Sequence, residues 1–181
     1  EIGPSELIAV STTSFAAAKL KERNDLQRLL RTQIDVLIED SMVLTEEFAN
    51  WDDSRRSIDL LVLDRDANLV VVELKRTTDG GHMELQAIRY AAMVSSMTFQ
   101  QAVEAHGLFL KKHGINDDPQ DRILSFLGWD EIEEDAFAQD VRIVLASADF
   151  SKELTTAVLW MNERGLDIRC VRMVPYEYSG R

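Results

Sequence analysis

Apolar residues first recur at helical spacing over residues 17–38, where Leu26, Leu29, Leu30, Ile34 and Leu37 predict one buried stripe. Residues 41–48, SMVLTEEF, predict a strand. Two short, β-branched apolar runs follow at 57–63 and 69–76, separated by DRDAN, and together they predict a hairpin. Gly80 and Gly81 break the chain, after which 83–105 predicts a helix and 119–137 one or two short ones. A strand at 141–147 (VRIVLAS), a helix at 151–164 and a strand at 167–174 (DIRCVRMV) close the pattern. A strand, helix and strand in that order predict parallel strands joined by a right-handed crossover. The whole order implies an α/β fold, a mixed central β-sheet flanked by helices.

The hairpin contains three residues that its pattern does not explain. Asp59, Glu73 and Lys75 lie within strands whose other residues are apolar on both faces, which marks a buried central pair. Glu73 and Lys75 share a face because side chains alternate along a strand. A register that opposes Asp59 to Glu73 or to Lys75 brings the acids about 5 Å apart at Cβ, whereas a one-residue slip sends Asp59 to the other face. Two such acids repel each other and lose hydration, and a divalent cation removes both costs. Mg²⁺, with Mn²⁺ as a substitute, suits two carboxylates, waters and phosphate oxygens, and the backbone carbonyl of Leu74 could add a ligand. Lys75 would stand beside the bound water, to orient it, to help deprotonate it, or to offset charge on a phosphate. A solvent-facing strand with decorative charges is the competing explanation.

The flanking helices add candidates. Glu22 falls on the stripe of Leu26 and Leu29, either solvated at its end or directed at the metal. Gln86 and Tyr90 share a helical face, so Gln86 could bond the metal water or a phosphate, with Tyr90 as a core residue or a second contact. Arg55, Arg56, Arg76 and Arg89 flank the region and either contact phosphates or are ordinary solvated arginines. His82, His106 and His113 have no metal-ligand spacing.

The net charge of −12 argues against a general polyanion binder, but its distribution alters that. Residues 116–140 hold nine acids and one arginine, so they carry −8 of the total. A nucleic-acid surface elsewhere is therefore compatible with the composition. The acidic stretch is a solvated helical face, a surface for a protein partner, or a region that repels DNA. The single cysteine, Cys170, excludes a disulfide framework, and no apolar run reaches the roughly 18 residues of a membrane span. With no secretory pattern, a cytoplasmic protein is expected. Its 181 residues suit a single domain, with an acidic helical insertion at about 107–140.

ERNDLQRLL at 22–30, IDLL and VVELKR within 58–76, and LQAIRY at 85–90 together resemble the PD-(D/E)XK nuclease superfamily. They look most like the NucS-type endonuclease module, and the tail at 142–176 is similar to the unit that closes it. The resemblance implies a restriction-endonuclease-like sheet and a metal-dependent DNA endonuclease. It implies that Asp59 and Glu73 bind metal, that Lys75 completes the catalytic motif, and that Glu22 and Gln86 are the helix-borne members of the site. Ile58 stands where the superfamily name has proline, and no separate N-terminal DNA-binding domain is visible, so mismatch specificity is not carried over. The alternative is a catalytically inactive nucleic-acid-binding or protein-interaction module of the same fold. Homodimerisation is left open.

Overall fold

The hairpin forms the middle of a five-stranded sheet in the computed structural model, which describes residues 10–49, 57–77 and 82–177. β1 is Ser11–Thr12, β2 Ser41–Phe48, β3 Ile58–Asp64, β4 Leu69–Lys75, β5 Val141–Ser147, β6 Ile168–Arg172 and β7 Tyr176–Glu177. The sheet order is β2-β3-β4-β5-β6. β2–β3 and β3–β4 are antiparallel, whereas β4–β5 and β5–β6 are parallel. The expected mixed sheet and parallel closing unit are therefore present. β1 and β7 pair separately as a small antiparallel ribbon.

The hairpin turn is held by its own first residue. Asp64 Oδ1 accepts from the backbone N–H groups of Asp66 and Asn68, at 3.0 and 2.9 Å. This local bonding stabilises the tight return of the chain and lets Ala67 adopt a φ of 60°. Asp64 Oδ2 accepts from Arg142 of β5 at 3.0 Å, which fixes the turn against the neighbouring strand. Leu60, Leu61, Val62, Leu63, Leu69, Val71, Val72 and Leu74 are wholly buried, each contributing about 1.5–3 kcal/mol by leaving water.

Helices cover both faces. The helices are α1 (Arg28–Thr32), α2 (Met83–Val94), α3 (Phe99–Lys112), α4 (Pro119–Leu127) and α5 (Lys152–Asn162). One face packs Leu61, Leu63, Val71 and Leu145 against Met83, Ala87 and Tyr90 of α2, Phe99 of α3 and Val158 of α5. The other packs Leu60, Val62, Val72 and Leu74 against Leu30, Ile34, Leu37 and Ile38. No helix among the described residues is long and apolar enough to cross a membrane.

Two expected helices differ. The span 17–38 is π-helical over Glu22–Gln27, α-helical over Arg28–Thr32 and 3₁₀ over Ile34–Val36. In the π turn the N–H of Leu26 donates to the Lys21 carbonyl, five residues back. That wider turn shifts the stripe, so Leu26, Gln27, Leu30 and Ile34 are buried and Leu29 is 40% exposed. The span 83–105 is divided between α2 and α3. Thr98 caps α3 reciprocally with Gln101, which satisfies two backbone donors and starts a new helix. α3 continues through Lys111 and Lys112.

Candidate active site

The two central strands separate at the end away from the turn. Their pairing runs from Leu63↔Leu69 to Leu60↔Val72, and the same register carried one residue further sets Asp59 opposite Glu73. The paired part of the hairpin thus has the expected register, but it ends one residue short of Asp59 and Glu73. Beyond Leu60 the ladder stops, and the N–H of Leu74 donates to Asp59 Oδ2 at 2.8 Å. An aspartate side chain thus takes the place of a strand carbonyl. Side-chain alternation also breaks there, because Ile58 packs with Leu61 rather than with Leu60. β4 meanwhile stays paired to β5 as far as Lys75↔Ser147. Glu73 is held on a fixed backbone while Asp59 bridges the gap beside it.

Glu73 is completely buried. Its Oε1 accepts from Gln86 Nε2 at 2.7 Å and from Lys75 Nζ at 3.1 Å, while its buried Oε2 has no hydrogen-bond partner among the described residues. Burial, and then the charge of Asp59, push the Glu73 carboxyl up to about 8. Asp59 is also raised, by burial above all, although the Leu74 N–H and Lys75 counteract this. Two neighbouring acids that both resist ionisation mark a candidate functional site.

Lys75 Nζ lies 3.1 Å from Glu73 Oε1, 3.0 Å from the Leu74 carbonyl and 3.5 Å from Glu22 Oε1. Burial disfavours its charge, but Glu73, Glu22 and Asp59 outweigh burial and hold it above the ordinary lysine value. In this state Lys75 is an ammonium, so it can donate hydrogen bonds and neutralise charge but cannot act as a base. Glu22 Oε2 accepts from the backbone N–H of Arg76 at 3.0 Å, which docks the π turn on the end of β4.

The structure thus brings together Glu22, Asp59, Glu73, Leu74, Lys75 and Gln86. Arg76 adjoins them, and its Nη1 donates to the Leu20 carbonyl at 3.4 Å. Arg89 is exposed on α2. Of the two roles open to Tyr90, core residue or second contact for nucleic acid, the structure shows the first: it packs in the core at 3% exposure, because its side of α2 faces the sheet. Arg55, Arg56 and the Gly80–Gly81 break lie outside the described residues. His106 is buried and His113 meets Glu46, so neither joins the site.

Sequence reasoning overlooked Arg23, which is close enough to Asp59 to favour its charged form. Its only sequence signal is its position next to Glu22.

The donor set fits a hard divalent cation. Asp59, Glu73 and the Leu74 carbonyl supply oxygen, and Glu73 Oε2 is a buried acceptor lacking a donor among the described residues. Among the described residues no three His, Cys, Asp or Glu side chains converge as a preformed cage. Mg²⁺ needs none, since it keeps several waters and takes one or two carboxylates.

No protein-family model matches the chain, and no curated protein matches it. Among solved structures it is similar to a repair endonuclease from Pyrococcus abyssi, at 18% identity and a TM-score of 0.45 over 84% of this chain and 47% of that one. It is also similar to EndoMS in a complex with double-stranded DNA, at 19% identity and a TM-score of 0.44 over 94% and 49% of the two chains. EndoMS in its apo form gives 15% identity and a TM-score of 0.45 over 84% and 47%. The chain spans about half the length of these proteins.

Proposed function

We propose that this chain is the catalytic unit of a Mg²⁺-dependent DNA endonuclease, with Mn²⁺ as a substitute ion. The observation that carries the reading is Glu73, a fully buried carboxyl with one oxygen held by Gln86 and Lys75 and the other unpartnered among the described residues, beside Asp59. A solvated decorative pair would not be built this way. Asp59, Glu73 and the Leu74 carbonyl would hold the ion, which when bound supplies Lewis acidity and an activated water.

The chain's own groups do the rest. Gln86 fixes Glu73 Oε1, so the carboxylate keeps one orientation. Lys75 presents an ammonium where a phosphate oxygen gains charge during attack, and Glu22 positions that ammonium through Nζ. Glu22 also ties the π turn to the Arg76 backbone, which sets the rim of the site.

The placement of charge supports a polyanionic substrate. The acidic segment attaches at the turn end of the hairpin, where the Ala138 N–H donates to Ala67 and Arg65 packs over Phe126 at 4.4 Å. The length of β4 separates that end from Glu73 by about 15–20 Å, beyond the roughly 8 Å over which physiological salt leaves charges unscreened. Most of the −12 therefore does not oppose DNA at the site.

The test is incubation with supercoiled plasmid, single-stranded and branched DNA in Mg²⁺ or Mn²⁺, beside Glu73→Gln and Lys75→Ala. Cleavage by the wild type, stopped by chelator and reduced about 10²-fold or more in both variants, is the expected result. Cleavage equal in all three proteins, or none on any substrate, would overturn the reading. Chelator-insensitive DNA binding without cleavage would favour an inactive binding module of the same fold.

A further inference from the structure

Arg23 follows Glu22 on the π turn, and its position relative to the strands is unusual. β2 pairs Glu46 with Leu60 and Phe48 with Ile58, which leaves Glu47 across from Asp59. Glu47, Asp59 and Glu73 lie on β2, β3 and β4, which are adjacent in the sheet, near the end where the β3–β4 ladder has stopped, so in strand order they make a row of acids with Asp59 in the middle. Arg23 Nε lies 2.7 Å from Glu47 Oε1, so the arginine is moored at the β2 side of the row. Lys75 and Arg76 hold the opposite, β4 side. Any chain crossing the row meets cations on both sides of the acids.

Arg23 is moored but not consumed. Its side chain is 65% exposed, and Nη1 and Nη2 donate no hydrogen bond to any described residue. An arginine ion-paired through Nε, with its terminal amines available, matches the forked geometry of phosphate oxygens. Glu47 pays for its place with a φ of 53°, a left-handed backbone that is costly for a residue with a side chain. Lys112 Nζ lies 3.6 Å from Glu47 Oε2, so the mooring carboxylate is itself held from the α3 side. This is more support than a solvated helix arginine has. Arg23 also offsets negative charge on this side of the site, since it pairs with Glu47 and acts on Asp59.

We propose that Arg23 contacts a backbone phosphate next to the one attacked, on the β2 side of the site, and that Glu47 is its positioning residue. This rests on the nuclease reading of the site, and it adds the direction in which the strand lies, across the row from Arg23 to Lys75.

The test measures DNA binding and cleavage separately, with the full chain. Fluorescence anisotropy with labelled single- and double-stranded oligonucleotides across a salt series is run in Ca²⁺ on wild type, Arg23→Ala, Arg23→Lys and Arg164→Ala. Arg164 is an exposed arginine stacked on Trp160 beyond the end of α5, and it controls for loss of one charge. Arg23→Ala is expected to weaken binding about tenfold and to lower the slope of log affinity against log salt by about one. Arg23→Lys should recover part of the affinity, and Arg164→Ala should bind as the wild type does. In Mg²⁺ cleavage, Arg23→Ala should raise KM by a similar factor with kcat changed only a few-fold.

Glu47→Gln is made in both the wild-type and the Arg23→Ala backgrounds, and its effect on binding should differ between them. Equal effects would remove Glu47 from the proposal. Unchanged affinity and salt slope in Arg23→Ala would overturn the Arg23 contact even where cleavage is robust. A wild type that binds through Arg23 but never cleaves would overturn the nuclease reading and keep the contact. A wild type that neither binds nor cleaves would overturn both.

Discussion

Replacing Glu73 by Gln should stabilise the metal-free protein, increasingly so as pH rises. The ordinary glutamic acid value is 4.5, whereas burial and Asp59 push Glu73 to about 8 in the folded chain. Between those values the unfolded chain releases the proton and the folded site keeps it. Folding then carries a proton-uptake cost that is absent below 4.5, grows with pH, and is complete above the folded value. Each pH unit between the two states corresponds to about 1.4 kcal/mol, so the wild type loses at most about 5 kcal/mol across the window. Relaxation of the site and entry of water reduce this, and about 2–4 kcal/mol is expected. For a chain of this size that is roughly 5–15 °C in Tm. Glutamine keeps an oxygen for Gln86 and Lys75 but has nothing to ionise. The assay is thermal unfolding followed by circular dichroism in chelator from pH 4 to 9, for wild type and Glu73→Gln. The two curves should converge near pH 4, diverge upward, and level off above about 8. Adding Mg²⁺ at pH 8 should raise the wild type and leave the variant unchanged. Parallel curves across the range, or a variant less stable than the wild type at pH 9, would refute the reasoning.

Three further outcomes follow from particular contacts. Gln86→Leu removes the 2.7 Å bond that orients Glu73, and should cost about 10–100-fold in Mg²⁺ affinity by calorimetric titration while the chain stays folded. Thr98→Ala removes the capping box of α3 and should cost about 1 kcal/mol in urea unfolding, with no change in metal binding. Asp64→Ala strips the hairpin turn of its acceptor and leaves Arg142 with Asp167 alone, so it should cost about 1–3 kcal/mol.

The sheet was legible in the sequence because its strands are short apolar runs closed by turn residues. β2 and β5 have the predicted bounds, and the hairpin differs only at its ends. The helices were less legible, for two separate reasons. A π turn depends on where a backbone N–H finds its carbonyl, which periodicity does not encode, so Leu29 was assigned to the stripe that Gln27 occupies. The division at Thr98 did have a signal, since Thr98 and Gln101 stand at the capping-box spacing, but the apolar pattern runs through them. In the site, Asp59, Glu73 and Lys75 declared themselves as charges inside strands. The Gln86 bond to Glu73, rather than to a water or phosphate, required the distance between α2 and β4. Arg23 had no such signal, because an exposed arginine on a helix is ordinary until the strand beside it is known. Tyr90 shows the converse, a residue on the same helical face as Gln86 that lies one turn deeper in the core.

The central claim is that Asp59 and Glu73 hold a catalytic cation between the separating strands. Titration of Mn²⁺ against the protein, with the free ion followed by electron paramagnetic resonance, tests it directly. The account predicts a site that binds Mn²⁺ in the wild type, is displaced by Mg²⁺, and is lost in both Asp59→Asn and Glu73→Gln. Mn²⁺ binding that survives both substitutions undiminished would contradict it.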